Sequence, residues 1–149
     1  MKKTLLVLMI AAGFIACKTE DKKVKDSPVL SPEQKTAALS DSSNFTSIQW
    51  LDSTYLDLGK VKDGAVVEVS FRFKNTGSKP LVISSVTAGC GCTIPETPQK
   101  PFAPGEEGSI KASFNSSGRK GENNKSVYVK ANTTSTGDHE LKFRVEVTD

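Results

Sequence analysis

Three cysteines are the residues of this chain best suited to unusual chemistry, and their spacing divides them into two jobs. Cys90 and Cys92 flank Gly91 inside the stretch Ala88-Gly89-Cys90-Gly91-Cys92-Thr93-Ile94-Pro95. Glycine reaches conformations that other residues avoid, which lets sulfurs two positions apart approach one another. Their Cα atoms can then fall in the 4.4–6.8 Å window of a disulfide. So short a loop removes little entropy from the unfolded chain, so the bridge would be a feeble stabiliser. The ring would be strained, and strained bridges are the more oxidising ones. A structural or redox-active disulfide is therefore one reading of the pair, and two small residues shaping a loop is the other. Paired thiolates also suit Cu(I) or Zn, but Met1 and Met9 are the only methionines and His139 the only histidine, so a four-ligand site lacks partners. The sequence thus gives no metal-ligand set and calls for no cofactor. A thioredoxin-type catalyst would want Cys-x-x-Cys opening a helix, and this spacing is different.

Cys17 has another setting. Met1-Lys2-Lys3 is a positive n-region, and Thr4 to Ile15 is an apolar run too short to span a bilayer. It ends in Phe14-Ile15-Ala16-Cys17, which resembles the lipobox of bacterial lipoproteins. That resemblance implies a signal peptide over residues 1–16, cleavage before Cys17, and lipid on its thiol and new amino group. Several acyl chains anchor stably where one would not. The expected location is the bacterial cell envelope, with the outer membrane favoured because lysine rather than aspartate follows Cys17, and export favours disulfides.

Residues 17–44 are polar and charged, and are expected to be a flexible tether. As a coil the 27 residues after Cys17 would reach roughly 25–30 Å. Within it, Ser31-Pro32-Glu33-Gln34 offers an N-cap serine, proline at the first helical position and a capping-box glutamine. The helix running to Leu39 is too short to stand alone.

Residues 45–149 must supply the fold. Val67, Val69, Phe71 and Phe73 alternate with polar residues, as do Ile110, Ala112 and Phe114; Val127, Val129 and Ala131; and Leu141, Phe143, Val145 and Val147. A period of two puts one face of each strand on a core and the other in water. Leu81 to Val86, Ile48 to Leu51 and Tyr55 to Leu58 are further strands. Turns are expected at Asn75-Thr76-Gly77-Ser78, Pro104-Gly105, Gly118 to Gly121, Asn123-Asn124 and Gly137-Asp138. About seven to eight short strands make an all-β, immunoglobulin-like β-sandwich.

The run Phe71 to Ile83, followed by Gly89-Cys90-Gly91-Cys92-Thr93 and then Pro104-Gly105-Glu106-Glu107-Gly108, resembles the bacterial domain-of-unknown-function family 1573. Leu56-Asp57-Leu58-Gly59 resembles the family's opening, where Asp-Phe-Gly is commoner, and the resemblance runs from Ile48 to Val147. It implies an exported immunoglobulin-like lipoprotein domain whose motif loop is Gly89, Cys90, Gly91, Cys92 and Thr93. It implies no activity.

The remaining residues give no catalytic constellation. His139 beside Asp138 is expected in solvent, and Ser84 and Ser85 lack a nucleophile elbow. Glu106-Glu107 reads as a solvated pair in a turn. Trp50, Tyr55 and Tyr128 are a candidate aromatic platform for sugar, with Trp50 drawn toward the core and Tyr128 on the outer face. The net charge of +3 falls to +1 without Lys2 and Lys3 (18 basic against 17 acidic), which leaves no basic excess for nucleic acid. The sequence therefore leads to a non-catalytic, lipid-anchored envelope binding or scaffolding protein. Its partners would be the membrane, through Cys17, and an envelope protein or glycan. The rival readings are a thiol redox or soft-metal protein using Cys90 and Cys92, and a glycan-binding module.

Overall fold

The computed structural model describes residues 28–149. The expected signal peptide, Cys17 and the first part of the tether lie outside the described residues.

Eight strands form two four-stranded sheets stacked as a sandwich. The first sheet has the order β1 (Ile48–Trp50), β3 (Val66–Asn75), β6 (Glu107–Asn115), β5 (Thr93–Glu96). The second has the order β2 (Tyr55–Lys62), β8 (Asp138–Thr148), β7 (Gly121–Ala131), β4 (Ile83–Ala88). All neighbours are antiparallel except β2 and β8. The expected alternation holds: Phe71, Phe73, Ile110, Phe114, Val127, Val129, Leu141, Phe143 and Val145 are buried between the sheets. Burial of this apolar set is the main driving force for the fold. Phe73 is the aromatic centre at one end, with Trp50 and Phe102 edge-on at 5.7 and 4.9 Å.

Buried polar side chains hold the loops. Asn75 donates through Nδ2 to the carbonyls of Lys79 (2.8 Å) and Phe102 (2.9 Å), and its Oδ1 accepts from the Thr46 hydroxyl (2.9 Å). Asn132 does the same work on the other sheet, donating to Asn44 O and Pro80 O and accepting from Val82 N. Gly77 is required by space: a Cβ there would overlap Thr46 Oγ1 and come within 2.6 Å of Ser47 N.

Several local expectations change. The tether does not extend to residue 44. A helix, α1 (Pro32–Ser40), follows the Ser31 cap with its complete capping box. It docks through Lys35, which is buried and donates to Pro98 O (3.1 Å) and Gln99 Oε1 (3.3 Å). Docking supplies what a nine-residue helix lacks alone. Asn123-Asn124 and Asp138 are not turn residues but lie inside β7 and β8. Their partners Val145, Arg144 and Lys130 across the ladder outweigh local turn preference. Leu81 makes only an isolated bridge to Phe102, and β4 begins two residues later.

Candidate functional site

The glycine–cysteine stretch is one of the places where the chain changes sheets. It leaves the second sheet at the end of β4 (Ala88) and enters the first at the start of β5 (Thr93). The crossing takes only four residues, and Cys90 and Cys92 are bonded to each other within it, with Cα atoms 5.4 Å apart. Cys92 belongs to the buried core, while Cys90 packs against it half-buried. Hydrogen bonds fix both ends: Gly89 N donates to Ser126 O (3.3 Å), Asn115 N to Cys92 O (3.0 Å) and Thr93 N to Cys90 O (3.3 Å). The buried Thr93 hydroxyl lies 3.8 Å from Cys90 Sγ.

Gly91 is not needed for the reason the sequence suggests. Its φ is outside the positive region, and a Cβ there would meet nothing within 4 Å. Gly89 is similar, with only Tyr128 Cε2 in ordinary contact at 3.9 Å. The glycines leave space beside the bridge and are not forced by the backbone.

The same crossing finishes two sheet edges. In an antiparallel ladder, residues in non-hydrogen-bonded pairs point their backbone groups away from the partner strand. Because Asn115 N bonds Cys92 O, the register makes Thr93 and Pro95 such residues on β5. The outward Thr93 N–H is used by Cys90 O, and Pro95 has none to offer. On β4, the outward N–H of Val86 donates to Thr97 Oγ1 (3.1 Å). β5 itself escaped the sequence reading. A four-residue run with a proline carries almost no strand signal of its own, and only pairing with β6 makes it one.

His139 is not in solvent. Its Nε2 lies 2.9 Å from the Thr133 hydroxyl, and its ring stands edge-on to Trp50 at 5.8 Å. Burial lowers its pKa, opposed by the Asp138 carboxylate. Glu106 accepts from Ala103 N (2.7 Å) and Glu107 pairs with Lys74 (3.6 Å), both exposed. Of the three candidate platform aromatics, Trp50 is committed to Phe73 and His139. Tyr55 and Tyr128 are exposed on the outer face of the second sheet, opposite Lys142 and Glu140 of β8 respectively. A depression of about 340 Å³ there is lined by Tyr55, Asn124, Ser126, Glu140 and Lys142. Among the described residues no three or more His, Cys, Asp or Glu side chains gather as a metal site.

Solved structures resemble this fold. A protein of unknown function from Porphyromonas gingivalis W83 superposes with a TM-score of 0.60 at 18% identity, over 71% of this chain and 49% of that one. The ASH/PapD-like domain 7 of human CEP192 gives 0.53 at 10% identity, over 71% of this chain and 87% of that domain. The secreted serine protease VesC of Vibrio cholerae gives 0.50 at 17%, over 74% of this chain and only 25% of the protease. The chain thus spans about half of the Porphyromonas protein and a quarter of the Vibrio one, and at these identities the likeness establishes the immunoglobulin-like β-sandwich fold alone. No curated protein matches in sequence. The model of the family described as "Protein of unknown function (DUF1573)" matches residues 48–147, two thirds of the chain and nearly all of the sandwich, and the chain belongs to that family.

Proposed function

We propose that this protein is a non-catalytic binding or scaffolding module of the bacterial cell envelope, held to the membrane, the outer one for preference, by lipid on Cys17. Its partner is another envelope component and not a nucleic acid. The observation that carries this reading is the fate of the cysteine pair. The most chemically distinctive residues of the domain close on each other at a sheet crossover, with Cys92 in the core. There they serve the architecture, and His139 is likewise engaged by Thr133 and Trp50.

The test uses the full-length chain in its own cells, with a photo-reactive residue placed in turn across exposed positions. Discrete cross-links to an envelope component are expected, and a Cys90→Ser/Cys92→Ser variant that still folds keeps them. A phenotype that follows the cysteines while every position stays free of cross-links would transfer the protein to the thiol-redox reading.

A second reading has its own observation. Tyr55 and Tyr128 share one outer face with Ser126, Glu140 and Lys142. Aromatic faces beside hydrogen-bonding groups suit a glycan. Tyr128→Ala then weakens retention on envelope polysaccharide, and unchanged retention counts against it.

A further inference from the structure

The first sheet is one strand short along part of its length. β6 covers β3 from Val66 to Lys74, but on the other side β1 covers only Phe73–Asn75. The chain leaves that side at Leu51, whose N–H donates to Arg72 O (2.9 Å), and Asp52 then takes Arg72 N (2.9 Å). Among the described residues no strand lies beside β3 from Val66 to Phe71.

The register states which groups are left over. Asn75 N bonds Glu106 O and Ser116 N bonds Ala65 O, so the odd-numbered residues of β3 exchange bonds with β6. Val66, Glu68 and Ser70 therefore direct their N–H and C=O groups to the vacant side. The core is also incompletely covered. Val67, between these residues, and Leu56, Leu58 and Val61 of the other sheet's edge strand β2 remain only partly buried, whereas Val127, Val129 and Val145 are fully enclosed. The other edges are less available: β5 and β4 have the blocked donors described above, and β2 is broken by a bulge between Asp57 and Lys60.

We infer that the β3 edge from Val66 to Ser70 is a docking site for an extended peptide segment of a partner protein. That segment adds as a strand in line with β1, with apolar residues on the core side beside Val67 and a Lys or Arg opposite Glu68. Strand addition draws its affinity from main-chain hydrogen bonds and its specificity from alternate side chains. Charge selects the occupant. Glu68 is exposed and has no ion-pair or hydrogen-bond partner among the described residues. A second copy pairing antiparallel through this run would set Glu68 against its own counterpart, and like charges directly opposite are destabilising. A basic residue at that place is favoured instead.

This inference rests on the binding-module reading above and is tested separately from it. The probes are two fluorescent nine-residue peptides, one alternating Val with Lys and one alternating Val with Glu, titrated into the purified full-length chain. The Val–Lys peptide is expected to bind at least tenfold more tightly and to slow amide hydrogen exchange at Val66, Glu68 and Ser70. Ser70→Pro removes an outward N–H that β6 does not use, and should weaken binding at least tenfold. Glu68→Lys should reverse the preference toward the Val–Glu peptide, and it asks the same question if the proline variant folds poorly. Failure of both peptides to bind overturns the inference. So does binding that leaves the three amides exchanging as before, or that ignores both substitutions. If the in-cell cross-links persist in Ser70→Pro, the edge is lost and the binding module stands; if no position cross-links in the parent chain, the module itself falls.

Discussion

Where β4 and β5 lie side by side, three outward backbone positions offer no free donor: Cys90 O takes Thr93 N, Thr97 Oγ1 takes Val86 N, and Pro95 has no N–H. Helix α1 is pinned next to them through Lys35. Along β3 on the opposite side, Val66, Glu68 and Ser70 have no such partners among the described residues, and Val67 between them is only partly buried. An unpaired edge invites added strands, and proteins ordinarily blunt it. A disulfide crossover, a proline and a docked helix blunt one side, and among the described residues no strand covers the other. The distinctive cysteine motif and the proposed docking edge therefore lie apart: the motif closes one side, and the edge uncovered by any described strand belongs to the other.

The largest effect is expected from removing a tie common to both sides. Asn75 holds Thr46, just ahead of β1, and Phe102, in the segment between β5 and β6. Asn75→Ala should cost about 3 kcal/mol by urea unfolding, because it leaves several buried polar groups without partners. A loss under about 1 kcal/mol would mean that the two sides are held independently.

The next largest effect separates enclosed from half-covered packing. Val127→Ala, in the fully buried centre, is expected to cost about 2 kcal/mol from lost transfer energy and a cavity. The same change at Val67, beside the vacant edge, should cost under about 1 kcal/mol. Equal losses would show that the β3 side is as well covered as the centre. The closed side is probed by Cys90→Ser/Cys92→Ser, for which the loop-entropy argument gives roughly 1–2 kcal/mol. Exchange at the amides of Val86 and Thr93 should quicken with it, while that at Glu68 and Ser70 stays unchanged.

The smallest effect is on pH dependence. Burial of His139 lowers its folded pKa below 6.5, so the unfolded chain binds the proton more readily. That contribution is complete above pH 6.5 and is lost as pH falls through the lowered folded value. His139→Gln should flatten the fall in Tm between about pH 7 and 5. A second fall, at more acid pH, should remain. The Arg72 side chain lowers the Asp52 pKa, the Gly59 N–H that of Asp57, and Arg144 that of Glu122, so each stabilises above the usual carboxylate range. All three carboxylates lie at the surface, and high salt should weaken this second fall. A His139→Gln profile identical to that of the parent would put the ring in solvent after all.

Read from the amino acids alone, the sandwich was already determined. The two-residue alternation of β3, β6, β7 and β8 is a local property, and each run carries its own buried and exposed faces. The Ser31 capping box likewise marked the start of α1. Tertiary structure decided the rest, because those features depend on partners distant in the chain. Thr93 to Glu96 is a strand because β6 lies beside it, and Asn123-Asn124 is extended because β8 does. Lys35 is buried because Pro98 and Gln99 accept its hydrogen bonds, and His139 leaves solvent because Trp50 arrives from the other sheet. The vacant stretch of β3 is of the same kind. Its residues read as an ordinary strand, and nothing in their order reveals that β1 stops after three residues. Periodicity assigns a residue its face, whereas the neighbour it receives, or lacks, is settled only when the whole chain is folded.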